Sequence, residues 1–242
     1  MKTDHLHKFN SIDPLEGFIY PPKDLIGKLI HYVKRYGFLH AIASYMGRKS
    51  FFVWSVIGSL VTHKYLQNWL KSDELLILNL GGGNVLFDRW LTADVCPSSD
   101  IYMDITKPLP LPDKSIDIIY SEEAIEHIPY DRVLVLLREC FRVLKPGSYI
   151  RLTTPSLDYF CMRALQDPEY VQELNDIFYC HHHKRIFSEK ELELLLENIG
   201  FINVYKSSYR DPLSRYGHFD SHAARHSDSL PEWSQYWEAQ KP

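Results

Sequence analysis

Leu75-Leu76-Ile77-Leu78-Asn79-Leu80-Gly81-Gly82-Gly83-Asn84 decides the architecture of this 242-residue chain: an apolar run of strand length stops on three consecutive glycines. A run that does not alternate suits a strand buried on both faces, as in a parallel sheet. Glycines at its carboxyl end let a ligand approach the backbone and expose amide donors, at the edge where open α/β sheets bind ligands. A glycine turn after a strand is common, so the motif takes its meaning from its surroundings.

Downstream, short apolar runs recur at 91–95, 116–120 and 149–153, each next to turn residues, and read as strands. Tyr130 to Leu144 carries Val133, Leu134, Leu137, Cys140, Phe141 and Leu144 on one helical face, with Lys145-Pro146-Gly147 as the stop. Ser188 and Gly200 bracket a helix over 189–199, 201–205 follows as a strand, and 235–240 reads as one more. Strands alternating with helices predict a parallel sheet covered on both faces. Upstream, Pro21-Pro22 marks a helix start, Leu25, Ile26, Leu29, Ile30 and Val33 give an amphipathic helix, and 51–69 gives another, apolar on more than one face and so expected to be buried. The predicted organisation is a helical extension or cap over 1–72 and an α/β domain over 73–242.

Formal charge is −4 overall, yet residues 1–72 carry ten Lys or Arg against four Asp or Glu, leaving −10 for the remainder. Three readings of that basic segment stand: a cap over the sheet edge, which is favoured, a membrane-surface helix, and a lid over an anionic substrate. The acidic remainder argues against a nucleic-acid acceptor. Cys96, Cys140, Cys161 and Cys180 are too widely spaced for a zinc knuckle or a dense disulfide framework. The polar start lacks a secretory apolar stretch, and Phe51 to Val61 is too short to cross a bilayer, so a cytoplasmic protein, with membrane association through the first helices left open, is expected. No oligomeric state follows from the sequence.

Asp94 ends the second run, where a carboxylate can accept hydrogen bonds from both ribose hydroxyls of a nucleoside. Asp104-Ile105 can receive an exocyclic amine and cover an adenine face; a turn aspartate capping the loop before Pro108 is the competing reading. The unspaced Gly-Gly-Gly does not give G-x-G-x-x-G, which weighs against a nicotinamide oxidoreductase.

In order, Leu78-Asn79-Leu80-Gly81-Gly82-Gly83, Ala93-Asp94-Val95, Asp104-Ile105, the stretch 109–117, Glu122 to Ile128, Arg142 to Gly147 and His183 to Ser188 resemble the class I methyltransferases, specifically the broad type 11 family. The resemblance implies a Rossmann-like, mostly parallel seven-stranded sheet with an antiparallel last strand and S-adenosylmethionine across the carboxyl ends. It assigns cofactor contacts to Asn79, Gly81, Gly82 and Gly83, the ribose to Asp94, adenine to Asp104 and Ile105, and a place near the sulfonium to Ser121. The family usually has an acid where Asn79 stands and a glycine where Val85 stands. Asp94 follows Gly83 by only eleven residues, against roughly twenty in a Rossmann unit, so the first helix after the glycine loop must be short or absent. A related bacterial branch has the same compression, with a Trp and an Asp placed like Trp90 and Asp94.

The implied reaction is methyl transfer to a hydroxyl or amine of a small metabolite or glycan, with His127 as the base that removes a proton; a helix histidine bonded to a carboxylate is the competing reading. A non-catalytic or regulatory member with weakened cofactor binding is the alternative, motivated by Asn79, Val85 and the short loop. Glu123, Glu126 and His127 share a helical face and form a tentative metal set that His181, His182 or His183 would complete. His218, His222 and His226 repeat every four residues, beside Arg210, Arg215 and Arg225 that could grip an anionic acceptor.

Overall fold

The computed structural model describes residues 24–36, 38–47, 50, 52, 54–225 and 230–242; the Pro21-Pro22 helix start and His226 lie outside them. Its centre is a seven-stranded sheet: β1 (Ile77–Leu80), β2 (Trp90–Asp94), β3 (Ile101–Tyr102), β4 (Ile116–Glu122), β5 (Leu144–Pro155), β6 (Ile202–Ser207) and β7 (Ser234–Gln240). The order is β3-β2-β1-β4-β5-β7-β6. Pairs from β3 through β5 are parallel, and β7 runs antiparallel between β5 and β6. This is the expected Rossmann-like, mostly parallel sheet with an antiparallel last strand. The order reverses at β1, so the glycine turn sits at the topological switch point.

The helices are α1 (Leu25–Tyr36), α2 (Phe38–Gly47), α3 (Ser59–Trp69), α4 (Tyr130–Val143), α5 (Leu157–Gln166), α6 (Glu169–Tyr179), α7 (Glu189–Ile199) and the single turn α8 (His222–Arg225). A π-helical turn, Trp54–Gly58, runs into α3. Helix α7 is bounded as the sequence predicts: Ser188 Oγ accepts from the Glu191 amide at 3.2 Å, and Gly200 closes it at φ +113°. Helix α4 ends at Val143, and β5 starts at Leu144 with no loop between, so Lys145-Pro146-Gly147 belongs to the strand. Helices α2, α5 and α6 and the two-residue β3 have no counterpart in the sequence reading.

The two faces of the sheet are closed differently. Leu78, Leu80, Leu91 and Ile119 face a large core completed by Val133 and Leu137 of α4 and Leu192 and Leu196 of α7. The opposite face carries Ile77, Ile118 and Tyr120, and they meet Phe87, Trp90, Tyr216 and Phe219. No helix stands between β1 and β2. The compressed spacing from Gly83 to Asp94 required this. Both faces are covered, as expected, but by different means: on the second an aromatic plug from the 81–90 loop and from residues 216–219 takes the missing helix's place. Trp90 stacks on Phe87 at 4.1 Å between centroids and meets Phe219 edge-on at 4.4 Å. Such pairs add about 0.5–1.5 kcal/mol each beyond burial of their area.

Helix α3 covers the β3 edge. Thr62 Oγ1 accepts from the Tyr102 amide at 3.0 Å and donates to the Tyr102 carbonyl at 3.2 Å, so one hydroxyl satisfies both outward backbone groups of that residue. Trp54, Gly58, Thr62 and Leu66 form the buried stripe at spacings of four. The stretch 51–69, expected to be buried, is buried along one side only: Phe52, Val56 and Leu60 are exposed, because a single face of the helix meets the sheet.

Candidate functional site

The glycine turn opens into a cavity of about 540 Å³ at the carboxyl ends of β1 and β4. Gly81 and Gly83 take positive φ, +71° and +58°. A Cβ on Gly81 would lie 2.5 Å from the Ala124 Cβ and one on Gly82 2.2 Å from the Asn79 amide nitrogen, whereas one on Gly83 would meet nothing within 4 Å. The first two glycines are thus required by packing. The third leaves open space beside the backbone, which is room for a ligand.

Asn79 lines the cavity and is buried. Thr92 Oγ1 donates its proton to the Val85 carbonyl at 2.8 Å, so toward Asn79 it can only accept, and it does so from Asn79 Nδ2 at 3.3 Å. That fixes the amide orientation and leaves Asn79 Oδ1 as a buried acceptor with no partner. An orphaned acceptor beside a glycine turn suits a ligand that brings a donor, such as an ammonium group.

Asp94 works on the loop from outside the cavity lining. Its Oδ2 accepts from the Gly83 amide at 2.9 Å and its Oδ1 from the Cys96 amide at 2.7 Å. Each carboxylate oxygen retains a lone pair after these bonds. Asp104 accepts from the Thr106 amide and hydroxyl at 3.0 and 2.6 Å and pairs with Lys107 at 2.9 Å, the geometry of the turn-capping alternative. Ile105 is in the core, its Cδ1 3.5 Å from where a Gly81 Cβ would stand. Ser121 is buried and donates to the Leu80 carbonyl at 3.0 Å. The structure therefore gathers Asn79, Gly81, Gly82, Gly83 and His127 around one cavity, whose lining does not include Asp94, Asp104, Ile105 or Ser121.

Three acids follow β4 in quick succession. Glu122 is fully engaged: it accepts from the Ser221 amide and hydroxyl at 2.8 and 2.7 Å and from the His222 amide at 3.0 Å. Glu123 holds φ +52°, an unusual left-handed conformation for a side chain of this size, and accepts from Ser234 Oγ at 2.8 Å. Burial pushes its carboxyl up to about 8, reinforced by nearby Glu126. Glu126 is raised to about 7, again by burial, although Thr154 donates to its Oε2 at 2.9 Å; its Oε1 is buried with no partner. His127 is lowered by burial and then by His181, and His183 by burial to about 4. Both imidazoles are neutral at pH 7, ready to accept a proton or a metal.

Glu123 makes a pH prediction. Its folded value lies above the ordinary carboxyl value, so the folded state holds the proton more tightly; its contribution is fully present below about pH 4.3 and is lost as pH rises toward about 8. Glu123→Gln should flatten that slope and raise the melting temperature at pH 8 relative to wild type, by a few kcal/mol of stability at most. Parallel pH–stability curves for the two proteins would rule this out.

The expected metal set is rearranged. Ligand atoms of Glu126, His127 and His183 lie within 4.8 Å of one another, while Glu123 turns to Ser234. The residues Ile125–His127 form a 3₁₀ turn, so the α-helical spacing that placed Glu123 beside Glu126 does not apply. His218, in a 3₁₀ turn beside Phe219, and His222, bonded to Glu122, are not on one helix. Arg210 binds Asp220 and Arg215 lies over Tyr149; neither lines the cavity, and the Arg225 side chain is outside the described residues. Glu122, Phe160, Glu173 and Trp233 line the far side and were not anticipated. They come from segments up to about a hundred residues apart that no local pattern links.

A methyltransferase domain model matches residues 59–206. A probable S-adenosylmethionine-dependent methyltransferase of Mycolicibacterium smegmatis is 35% identical over 105 residues, 43% of this chain and 36% of that protein; one of Mycobacterium tuberculosis is 32% identical over 96 residues, 40% and 30% respectively. The chain thus spans about a third of the length of the curated relatives it matches. A crystal structure of a S-adenosylmethionine-dependent methyltransferase from Archaeoglobus fulgidus covers 90% of this chain and 100% of its own, at 16% identity and a TM-score of 0.48. On the matched span, which takes in the glycine turn and all of β1 to β5, this chain belongs to the methyltransferase domain family.

Proposed function

We propose that the chain transfers a methyl group to a hydroxyl or amine of a small metabolite or glycan, with His127 removing the acceptor's proton. The observation that carries this is one cavity joining the glycine turn to a neutral, half-exposed histidine. When bound, the cofactor supplies an electrophilic methyl group on a sulfonium. The chain's task is to hold and align: Gly83 leaves room beside its backbone, Asn79 Oδ1 on β1 offers an acceptor, and Asp94 fixes the loop that carries Gly83. Among the described residues none of the cavity lining is Lys or Arg, while Glu122, Glu173 and Asp176 are present and Glu123 is held protonated by burial. That charge balance suits a cationic cofactor and a neutral or cationic acceptor, and disfavours a phosphorylated or carboxylated one.

Titration calorimetry with S-adenosylmethionine and S-adenosylhomocysteine on wild type and Asp94→Ala tests the cofactor half. Saturable binding should weaken by roughly ten- to a hundredfold in the variant, since two charge-assisted hydrogen bonds to the loop are lost. No binding to wild type would favour the non-catalytic alternative.

A second reading is favoured by one observation: Glu126 Oε1 and His183 Nδ1 are buried without partners, and ligand atoms of Glu126, His127 and His183 lie within 4.8 Å of one another. Two imidazoles and a carboxylate suit Zn²⁺ or a neighbouring transition metal. Under it His127 is a ligand and not the base. Turnover that falls with a chelator and returns with Zn²⁺ or Mn²⁺ would select it.

A further inference from the structure

Residues 25–72 contain seven Lys or Arg and not one Asp or Glu. Within this acid-free stretch the structure lays out two exposed stripes with the same design. In α1, Ile26, Ile30 and Lys34 follow at intervals of four, and Phe38 takes the next interval at the start of α2. Along the π-turn and α3, Phe52, Val56, Leu60 and Lys64 do the same. Ile26, Phe38, Phe52 and Leu60 are 71, 63, 74 and 72% exposed. Sheet packing does not need these side chains. The α3 face that docks on β3 is the other one, Trp54 to Leu66, while α1 packs on α2 and α2 packs on the π-turn.

We propose that these two stripes dock the protein on an anionic membrane, lying in the interface and not crossing it. Large apolar side chains beside lysines, on short helices, are the composition of an interfacial anchor. No described helix is long and apolar enough to span a bilayer. Charge selects the occupant. A second copy placed against this face would bring two acid-free basic surfaces together, whereas anionic headgroups neutralise each lysine, and every basic residue near such a surface adds to binding. The proposal does not depend on the methyl-transfer reading, because the surface shares no residue with the cavity.

The full chain is sedimented with vesicles of phosphatidylcholine alone and of phosphatidylcholine mixed with phosphatidylglycerol, at low and high salt. Binding is expected to the mixed vesicles, to weaken with salt, and to be far weaker to the neutral ones. Lys34→Glu with Lys64→Glu should weaken it by roughly tenfold or more, as should Phe52→Ser with Leu60→Ser. Cofactor binding by calorimetry and an unchanged circular dichroism spectrum show that each variant is folded; the charge pair, at exposed lysines, guards against misfolding of the apolar pair. No sedimentation with either vesicle, or equal and salt-insensitive binding to both, would overturn the proposal. So would a dimer in light scattering that the Phe52→Ser, Leu60→Ser variant abolishes while vesicle binding is absent, since that assigns the surface to a second copy.

Discussion

His127→Gln is expected to lower acceptor-dependent turnover by about two to four orders of magnitude while leaving cofactor affinity near wild type. The imidazole lines the cavity with its side chain partly exposed, and its nearest carboxylate oxygen, Glu126 Oε1, is 3.8 Å from Nε2, too far for a hydrogen bond. No carboxylate therefore holds it, and its hydrogen bond runs to the His182 backbone. Burial and the neighbouring His181 hold its proton affinity below the ordinary histidine value, so the neutral form persists to lower pH than usual and the wild-type rate should fall only on the acid side of about 6.5. Glutamine keeps a similar size and a hydrogen-bonding end but cannot take the proton. An undiminished kcat in His127→Gln, or a wild-type rate with no acid limb, would remove the histidine from this role. Chelator sensitivity would separate the outcomes further: the base reading expects none.

The second large effect is on stability. Arg151→Met should cost about 3–5 kcal/mol, read as a lower urea midpoint with unchanged slope, because a lone buried carboxylate would remain. Arg151 and Asp220 are fully buried, joined by two bonds of 2.9 and 2.5 Å. The guanidinium also donates to Ser207 and Ser214, while Asp220 accepts from the Arg210 amide at 3.0 Å. The pair pins residues 207–220 to β5, and Ser221 and His222, the very next residues, cap Glu122 at the cavity wall. Cofactor affinity should therefore fall as well. Replacing both partners, Arg151→Met with Asp220→Leu, should recover much of the stability but not the cavity wall. A loss under about 1 kcal/mol in the single variant would show the pair to be dispensable.

The sequence made the sheet legible because a strand buried on both faces leaves a contiguous apolar mark, as in 75–80 and 116–120. The Ser188 to Gly200 helix was legible because its caps are local chemistry. The missing helix after Gly83 could be read by counting, yet what replaced it could not. Phe87 and Trp90 announce themselves as apolar, but their partners Tyr216 and Phe219 lie in a loop without periodicity. The same distance limit governs the site. Asn79, the glycines and His127 sit at strand ends that a linear motif can mark, whereas Glu122 meets Ser221 across 99 residues. His183 joins Glu126 and His127 through a loop whose His182 adopts φ +59°, a conformation its residue type does not announce.

The aromatic plug imposes an order on how the chain folds. In a sheet flanked by sequence-local helices, each strand–helix unit can cover itself soon after it is made. Here the face that carries Tyr120 is closed by Phe219, whose carbonyl takes the Tyr120 hydroxyl hydrogen at 3.0 Å, and β7 must insert between β5 and β6 to complete the array. Contacts of such long sequence separation delay barrier crossing, because loop entropy is lost before they form. A ribosome-bound nascent chain that ends before residue 216 would expose Phe87, Trp90 and Tyr120 together, making it a natural client for holding chaperones until the last strand arrives.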